Sequence, residues 1–258
     1  MNEPLVSIIT PSFNQGKWLE DTILSVLNQT YSHIEYIIID GGSTDQSKEI
    51  IEKYADRLTY WQSKPDGGQA DALNIGIKKA KGDLIAYLNA DDLLEPNAVE
   101  GIIHAYEVNQ EFSIYYGKCK TIDSQGKLLE EGNGNQVYFE TLAKDGMLPN
   151  MYQPACFFNR AYLRRDSFVD SSLKYAFDYE LILFLASTKS ILFLNRDVAS
   201  YRVHTESKSY LFKIDAYKEK LSLQEKYNTK NYLLIKWKRI KLALAEKTGK
   251  IANGHAAL

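Results

Sequence analysis

Short apolar runs alternate along this chain with segments whose apolar residues recur every three or four positions. Residues 5–10, 34–39, 58–61 and 84–88 are apolar and rich in β-branched or aromatic side chains, so they read as buried strands. Between them, Leu19, Ile23, Val26 and Leu27 share one helical face, as do Ile50, Ile51 and Tyr54. Leu73, Gly76, Ile77 and Ala80 follow, and after Pro96 come Val99, Ile102, Ile103 and Tyr106. Ser43 and Gln46 form an expected capping box for the second helix, and Gly82 an expected stop for the third. Strand and helix in strict alternation predict an α/β fold, with a parallel sheet covered by helices on both faces.

Beyond Asn109 the pattern loosens. Residues 112–117 predict a strand and 119–129 a hairpin around Ser124-Gln125-Gly126, followed by a polar, glycine-rich connection over 130–135. A short helix and a loop are expected in 136–152, and a short strand at 155–158. A helix over 177–186 carries Phe177, Leu181, Phe184 and Leu185 on one side, and short strands follow at 191–194 and 198–203. From residue 208 the chain turns lysine-rich and helical.

The chemistry concentrates where strands stop. The run 84–88 ends in Asn89-Ala90-Asp91-Asp92. Carboxylates at the end of a buried strand are costly unless something positive lies beside them. In an open α/β sheet the carboxyl edge is also where ligands bind. Hard oxygen donors there suit Mg²⁺ or Mn²⁺, which bind through one or two carboxylates plus substrate phosphates. The plain alternative is that Asp91 and Asp92 only precede the helix after Pro96. Two further strands end in polar turns, Pro11-Ser12-Phe13-Asn14 and Asp40-Gly41-Gly42-Ser43, which the alternation puts on the same edge. No glycine-lysine phosphate loop and no G-x-G-x-x-G turn occurs, which excludes the usual P-loop and dinucleotide sites.

Composition narrows the field. The 258 residues are 45% hydrophobic and 25% charged, ordinary for a globular protein, and the net charge of -2 argues against a nucleic-acid partner. Cys119 and Cys156 match no zinc or redox spacing; a single disulfide is open to them, but a reduced, cytoplasmic protein is the simpler expectation. No stretch is long and apolar enough to span a bilayer, and the first residues lead directly into a strand, so no leader is expected.

The motifs together resemble the family 2 inverting glycosyltransferases. The resemblance lies in Val6 to Asn14 (VSIITPSFN), in Ile38 to Asp45 (IIDGGSTD), in Pro65-Asp66-Gly67-Gly68-Gln69-Ala70-Asp71-Ala72-Leu73-Asn74, in Lys81-Gly82 through Asp92, and in Tyr201-Arg202-Val203-His204. It implies the GT-A fold: a Rossmann-like, mostly parallel central sheet flanked by helices, here with a C-terminal helical extension. It also implies a catalytic domain over 1–207, with a nucleotide-sugar half of about 1–110 and an acceptor half of about 111–207, and an extension over 208–258. The implied reaction moves a sugar from a nucleotide diphosphate-sugar, UDP- or dTDP-linked, to a glycan or lipid-linked acceptor in cell-surface polysaccharide synthesis.

Position by position, the resemblance gives Pro11, Ser12, Phe13, Asn14 and Asp40 to the base and ribose, with a simple Asp-Gly turn as the alternative for Asp40. Asp66, Gln69 and Asn74 fall near the donor or merely cap a helix. The family's D-x-D motif lies over Asn89-Ala90-Asp91, with Asn89 replacing the first acid. Asp91 and His204 then become the ligands of Mn²⁺ or Mg²⁺, against a bland reading of His204 as a surface loop residue. Phe177-Asp178-Tyr179-Glu180 lies over the acidic motif that supplies the catalytic base, and Asp178 is the expected base with Glu180 as its competitor. Gln153-Pro154-Ala155-Cys156-Phe157-Phe158 is similar to an acceptor-site wall, or is simply a buried strand.

Two other functions are open at this stage. A sugar nucleotidyltransferase would need a glycine-rich, basic loop after the first strand, and Ser12 to Lys17 is a poor substitute. A non-catalytic nucleotide-sugar-binding scaffold takes its support from Asn89 and is opposed by Asp91, Asp178 and His204. In the tail, Leu233, Trp237, Ile240 and Leu244 share a helical face among Lys236, Lys238, Arg239 and Lys241. That face predicts packing on the body of the protein or self-association, with weak peripheral membrane contact as the lesser alternative.

Overall fold

In a computed structural model, residues 3–145, 151–164, 167–207, 212–227 and 232–247 are described, with the side chains at 213, 232–234 and 243–247 excepted. The nucleotide half follows the predicted alternation. Strands β1 (Val6–Ser12), β2 (Ile34–Asp40), β3 (Tyr60–Ser63) and β4 (Leu84–Tyr87) are joined by α1 (Gly16–Leu27), α2 (Ser47–Lys53) and α3 (Gln69–Ile77). These strands lie side by side in the order 3-2-1-4, all parallel.

The second half completes the sheet in a way periodicity does not reveal. It comprises β5 (Leu93–Leu94), α4 (Ala98–Val108), β6 (Ile114–Ile122), β7 (Leu128–Asn133), α5 (Phe139–Asp145), β8 (Cys156–Asn159), α6 (Phe177–Thr188) and β9 (Ile191–Arg202). Among the described residues the sheet runs β3-β2-β1-β4-β8-β6-β9-β5, with β7 on β6. β8 enters antiparallel between β4 and β6, while β6 and β9 pair in parallel.

Several sequence boundaries shift. The strand at 112–117 and the first arm of the 119–129 hairpin are one strand, β6. The connection at 130–135 is mostly β7, because its polar residues belong to an exposed edge strand. The strands at 191–194 and 198–203 are one strand, β9, whose pairing to β6 slips near Gly117 and Lys118.

Strands buried on both faces explain the unbroken apolar runs, because successive side chains point to opposite sides. Ile9, Ile37, Ile39, Ile85, Tyr87, Cys156 and Phe158 enter one core, beneath α3, α5 and α6. Val6, Ile8, Tyr36, Ile38, Leu84, Ala86 and Phe157 enter the other, beneath α1 and α4. Cys119 and Cys156 are both free and buried, in opposite cores. Gly82 is not a left-handed helix stop. It allows close approach to β1: a Cβ there would lie 2.5 Å from the Ser7 nitrogen, and its N–H donates to Ser7 Oγ.

Two C-terminal helices follow, α7 (Lys213–Tyr227) and α8 (Tyr232–Lys247). Leu223 of α7 joins the first core, and Gln224 Nε2 donates to the Lys144 carbonyl of α5 at 2.8 Å. α8 packs on α7 through Ile235 and Leu242, against Leu221. Of the face expected to pack, Trp237 and Ile240 are about half exposed. Lys241 covers Trp237 at 3.8 Å from the ring centre, so the indole is shielded by a neighbour on its own helix. The side chains of Leu233 and Leu244 are among those not described, and the boundary at 208 lies outside the described residues. No described helix is long and apolar enough to cross a membrane.

Candidate active site

The carboxyl ends of β1, β2 and β3 meet in register, with Ser12 opposite Asp40 and Asp40 opposite Ser63. Asp40 is fully buried. Its Oδ2 accepts from Gly42 N at 3.1 Å, Ser43 N at 2.9 Å and Ser63 Oγ at 2.7 Å, and its Oδ1 accepts from Ser43 Oγ. The carboxylate is thereby held by its own turn. Ser43 joins this cluster instead of capping α2, which has no side-chain cap.

Asn14 links the first turn to the second. It adopts a left-handed φ of 52°, its N–H donates to Ser43 Oγ, and its Oδ1 accepts from Thr44 N, both at 2.8 Å. Pro11 and Ser12 are buried beneath it, and Ser12 Oγ has no protein partner. Phe13 instead projects, 60% exposed. The Phe13 ring and the Asp66 carboxylate both flank Gly41, where a side chain would meet each within 3.3 Å. An aromatic face beside a carboxylate at a strand end can stack a base and accept its N–H groups.

Gln69 and Asn89 are brought together. Gln69 Nε2 donates to Asn89 Oδ1 at 2.7 Å, and Asn89 Nδ2 donates to Asp92 Oδ2 at 3.2 Å. Asn74 makes other contacts. Its amide donates to the Val169 carbonyl and accepts from Phe168 N and Val169 N, so it staples α3 to that loop.

The turn after β4 is fixed from below. Ala90 and Asp92 are buried, and Asp91 is partly exposed. Burial pushes the Asp92 carboxyl well above the usual carboxylate range, and the charge of Asp91 pushes the same way. Arg202, almost wholly buried at the end of β9, donates its backbone N–H to Asp92 Oδ1 at 2.9 Å and Nε to the Asp91 carbonyl at 2.8 Å. His204 lies two residues on, so it projects to the same side of the extended chain. Its Nε2 is 2.9 Å from Asp91 Oδ2. It is not a surface histidine: 7% exposed, its ring lies on Trp18 with centroids 4.0 Å apart. Trp18 is held in turn by a hydrogen bond from Nε1 to the Ser124 carbonyl.

This pair suits a small divalent cation. Adjacent ligands on an octahedral ion with bonds of about 2.1 Å are about 3 Å apart, close to the observed 2.9 Å. No group of three or more such ligands occurs among the described residues. An ion bound by Asp91 and His204 therefore needs oxygens from a ligand, which a diphosphate provides. Arg202 and Trp18 escaped the sequence reading as site residues. For Arg202 the signal was its place two residues before His204; for Trp18 no local signal existed.

Asp178, on the first turn of α6, is half-buried. Burial raises its carboxyl to about 6, against the lowering effect of backbone N–H groups, with a further rise from Glu219. Its charge reaches Tyr87 at the end of β4 and Cys156 at the start of β8, and Tyr87 also feels Asp92. Glu180 is engaged by neighbouring side chains. Buried, it takes two bonds from Arg164, at 2.8 and 2.7 Å, and one from Tyr227 at 2.8 Å. Gln153 of the expected acceptor wall is also buried and donates Nε2 to the Tyr87 carbonyl at 2.8 Å.

Known proteins share both the sequence pattern and the fold. The profile described as glycosyl transferase family 2 matches residues 7–168. Chondroitin synthase of Escherichia coli is 30% identical over 218 residues, covering 84% of this chain and 31% of that protein. The chain spans between about a third and two thirds of the length of the first curated relatives it matches. Two GT-A structures share the fold. TarS 1–349 of S. aureus, in complex with UDP-GlcNAc, gives a TM-score of 0.68 at 19% identity, over 85% of this chain and 65% of that one. The mannosyltransferase PcManGT of Pyrobaculum calidifontis, in complex with GDP-Man and Mn2+, gives 0.65 at 16% identity, over 100% of this chain and 77% of that one.

Proposed function

This chain belongs to glycosyltransferase family 2, and from that premise we propose that it transfers a sugar, with inversion, from a UDP- or dTDP-sugar to a glycan or lipid-linked acceptor in polysaccharide synthesis. The observation that carries the reading is the pairing of Asp91 with His204 at the carboxyl edge of a parallel sheet, the same edge that holds the exposed Phe13 and the Asp66 carboxylate around Gly41. One carboxylate and one imidazole, completed by diphosphate oxygens, would suit Mn²⁺ or Mg²⁺.

In this reading Phe13 stacks the base, and Asp66 and the backbone of the Asp40 turn orient base and ribose. Asp40 acts through its turn, since its own oxygens are occupied within it. Asn89 orients the donor by amide hydrogen bonds. Asp91 and His204 would hold a divalent ion, which would offset the charge developing on the leaving diphosphate. On the opposite face, Asp178 takes the proton from the acceptor hydroxyl as that oxygen attacks the anomeric carbon. The transition state is oxocarbenium-like, as in glycoside hydrolysis. The catalytic domain is taken as 1–207, working on the cytoplasmic side or peripherally at the inner face of the membrane.

The test is a thermal-shift panel of UDP-, dTDP- and GDP-sugars with and without Mn²⁺, followed by nucleotide-diphosphate release with glycan acceptors. A UDP- or dTDP-sugar should raise Tm, and more so with metal, because a ligand that binds the native state stabilises it by mass action. Full transfer in excess EDTA would remove the metal from the mechanism. Stabilisation by GDP-sugars alone would overturn the assignment of the base.

A further inference from the structure

Helix α6 begins without a cap of its own. Ala176, which precedes it, has no side-chain oxygen, and no side-chain cap is made there. The N–H groups leading into the helix converge instead on a distant carboxylate. Glu219 of α7 accepts from Lys174 N at 3.0 Å through Oε1, and from Tyr175 N and Ala176 N at 2.9 Å through Oε2. Successive N–H groups around one anion form a nest, and a negative charge is favoured at a helix start. Asp178 is two residues beyond Ala176.

We infer that Glu219 is a positioning residue for Asp178: it fixes the backbone that presents this carboxylate to the site. Burial is the main cause of the raised Asp178 carboxyl, and the Glu219 charge adds to it in the same direction. The inference rests on the reading of Asp178 as base. It makes α7 part of the working site although the helix lies outside the motif-bearing stretch. α7 is fastened along its length, by Gln224 to the Lys144 carbonyl and by Tyr227 to Glu180, each at 2.8 Å. Among the described residues, three titratable groups act on or respond to Asp178: Glu219 from α7, Tyr87 from β4 and Cys156 from β8. Burial pushes the Tyr87 hydroxyl and the Cys156 thiol well up, so both are neutral near pH 7. Glu219 therefore supplies the negative charge among them.

The experiment titrates the Asp178 carboxyl directly, in full-length protein labelled with carboxyl-¹³C aspartate. The resonance is identified by its loss in Asp178→Asn. Glu219→Gln keeps one acceptor oxygen but removes the charge, and should lower the Asp178 midpoint. Glu219→Asp keeps the charge and should leave the midpoint raised. Glu219→Ala should in addition speed hydrogen exchange at the N–H groups of residues 174–176, at unchanged binding of Mn²⁺ with UDP. A Glu219→Gln midpoint equal to that of the wild type overturns the proposal, even if the variant is less stable. Wild-type turnover in Asp178→Asn would instead sink the base assignment, and the titration does not depend on that result.

Discussion

Asp178 and Glu180 stand two residues apart on α6 and face opposite ways. Two helical steps of about 100° separate them. The charge of Asp178 is felt at Tyr87 and Cys156, while Glu180 closes on Arg164 and Tyr227. The two carboxylates should therefore fail differently. Asp178→Asn should fold, bind nucleotide and metal, and lose roughly 10²–10⁴-fold in turnover, as removal of a general base does. Glu180→Gln should retain the chemistry but destabilise the fold, by about 3 kcal/mol if the loss matches that of other buried ion pairs. Chemical denaturation and nucleotide-diphosphate release measure the two effects. A stable, inactive Glu180→Gln beside an active Asp178→Asn would reverse the assignment.

The rate should follow the ionisation of Asp178. A base acts only when deprotonated, and burial raises this carboxyl to about 6. Turnover should rise with pH through about 6, level off above it, and fall about tenfold per unit below it. A pH–kcat profile at saturating donor checks this. An acid limb centred near 4 would mean that Asp178 is not the titrating group.

Phe13 and Asp40 should separate binding from stability. Phe13→Ala removes an exposed ring, so Tm should hardly move while UDP affinity falls by about 1–2 kcal/mol, the scale of base–aromatic stacking. Asp40→Ala strands the Gly42 and Ser43 N–H groups and two serine hydroxyls inside the turn. It should lower stability by about 1–3 kcal/mol as well as weaken nucleotide binding. Calorimetry with UDP, paired with thermal unfolding, distinguishes them. Unchanged UDP affinity in both variants would move the base away from this turn.

Asn89→Asp restores the acid of the family motif and should cost stability that grows with pH. Asn89 Nδ2 donates to Asp92 Oδ2, and the substitution replaces that donor with an oxygen beside a buried carboxyl. The Asp92 pKa is already raised by burial. A group whose folded-state pKa is raised favours the fold at low pH and opposes it as pH rises through that value. The Tm deficit of the variant should be small near pH 5 and larger at pH 8. A deficit that shrinks toward pH 8 would contradict the packing of this turn.

The sequence by itself determined the strand–helix alternation of the first half, the edge on which polar turns gather, and most buried helix faces, such as Val99, Ile102, Ile103 and Tyr106. These are periodicities of 2 and 3.6 residues, and a short window contains them whole. Tertiary structure decided the rest. The insertion of β8 between β4 and β6, the clamp of Arg202 on the Asp91–Asp92 turn, and the seating of His204 on Trp18 join distant parts of the chain. Asn74 turned to the loop at Phe168 and Val169, and Ser43 turned to Asp40, because each found a partner that its own helix did not offer. On α8, the packed face proved to be Ile235 and Leu242, with Trp237 outside. An amphipathic helix shows in its sequence that it has faces; which one is buried depends on the surface it meets.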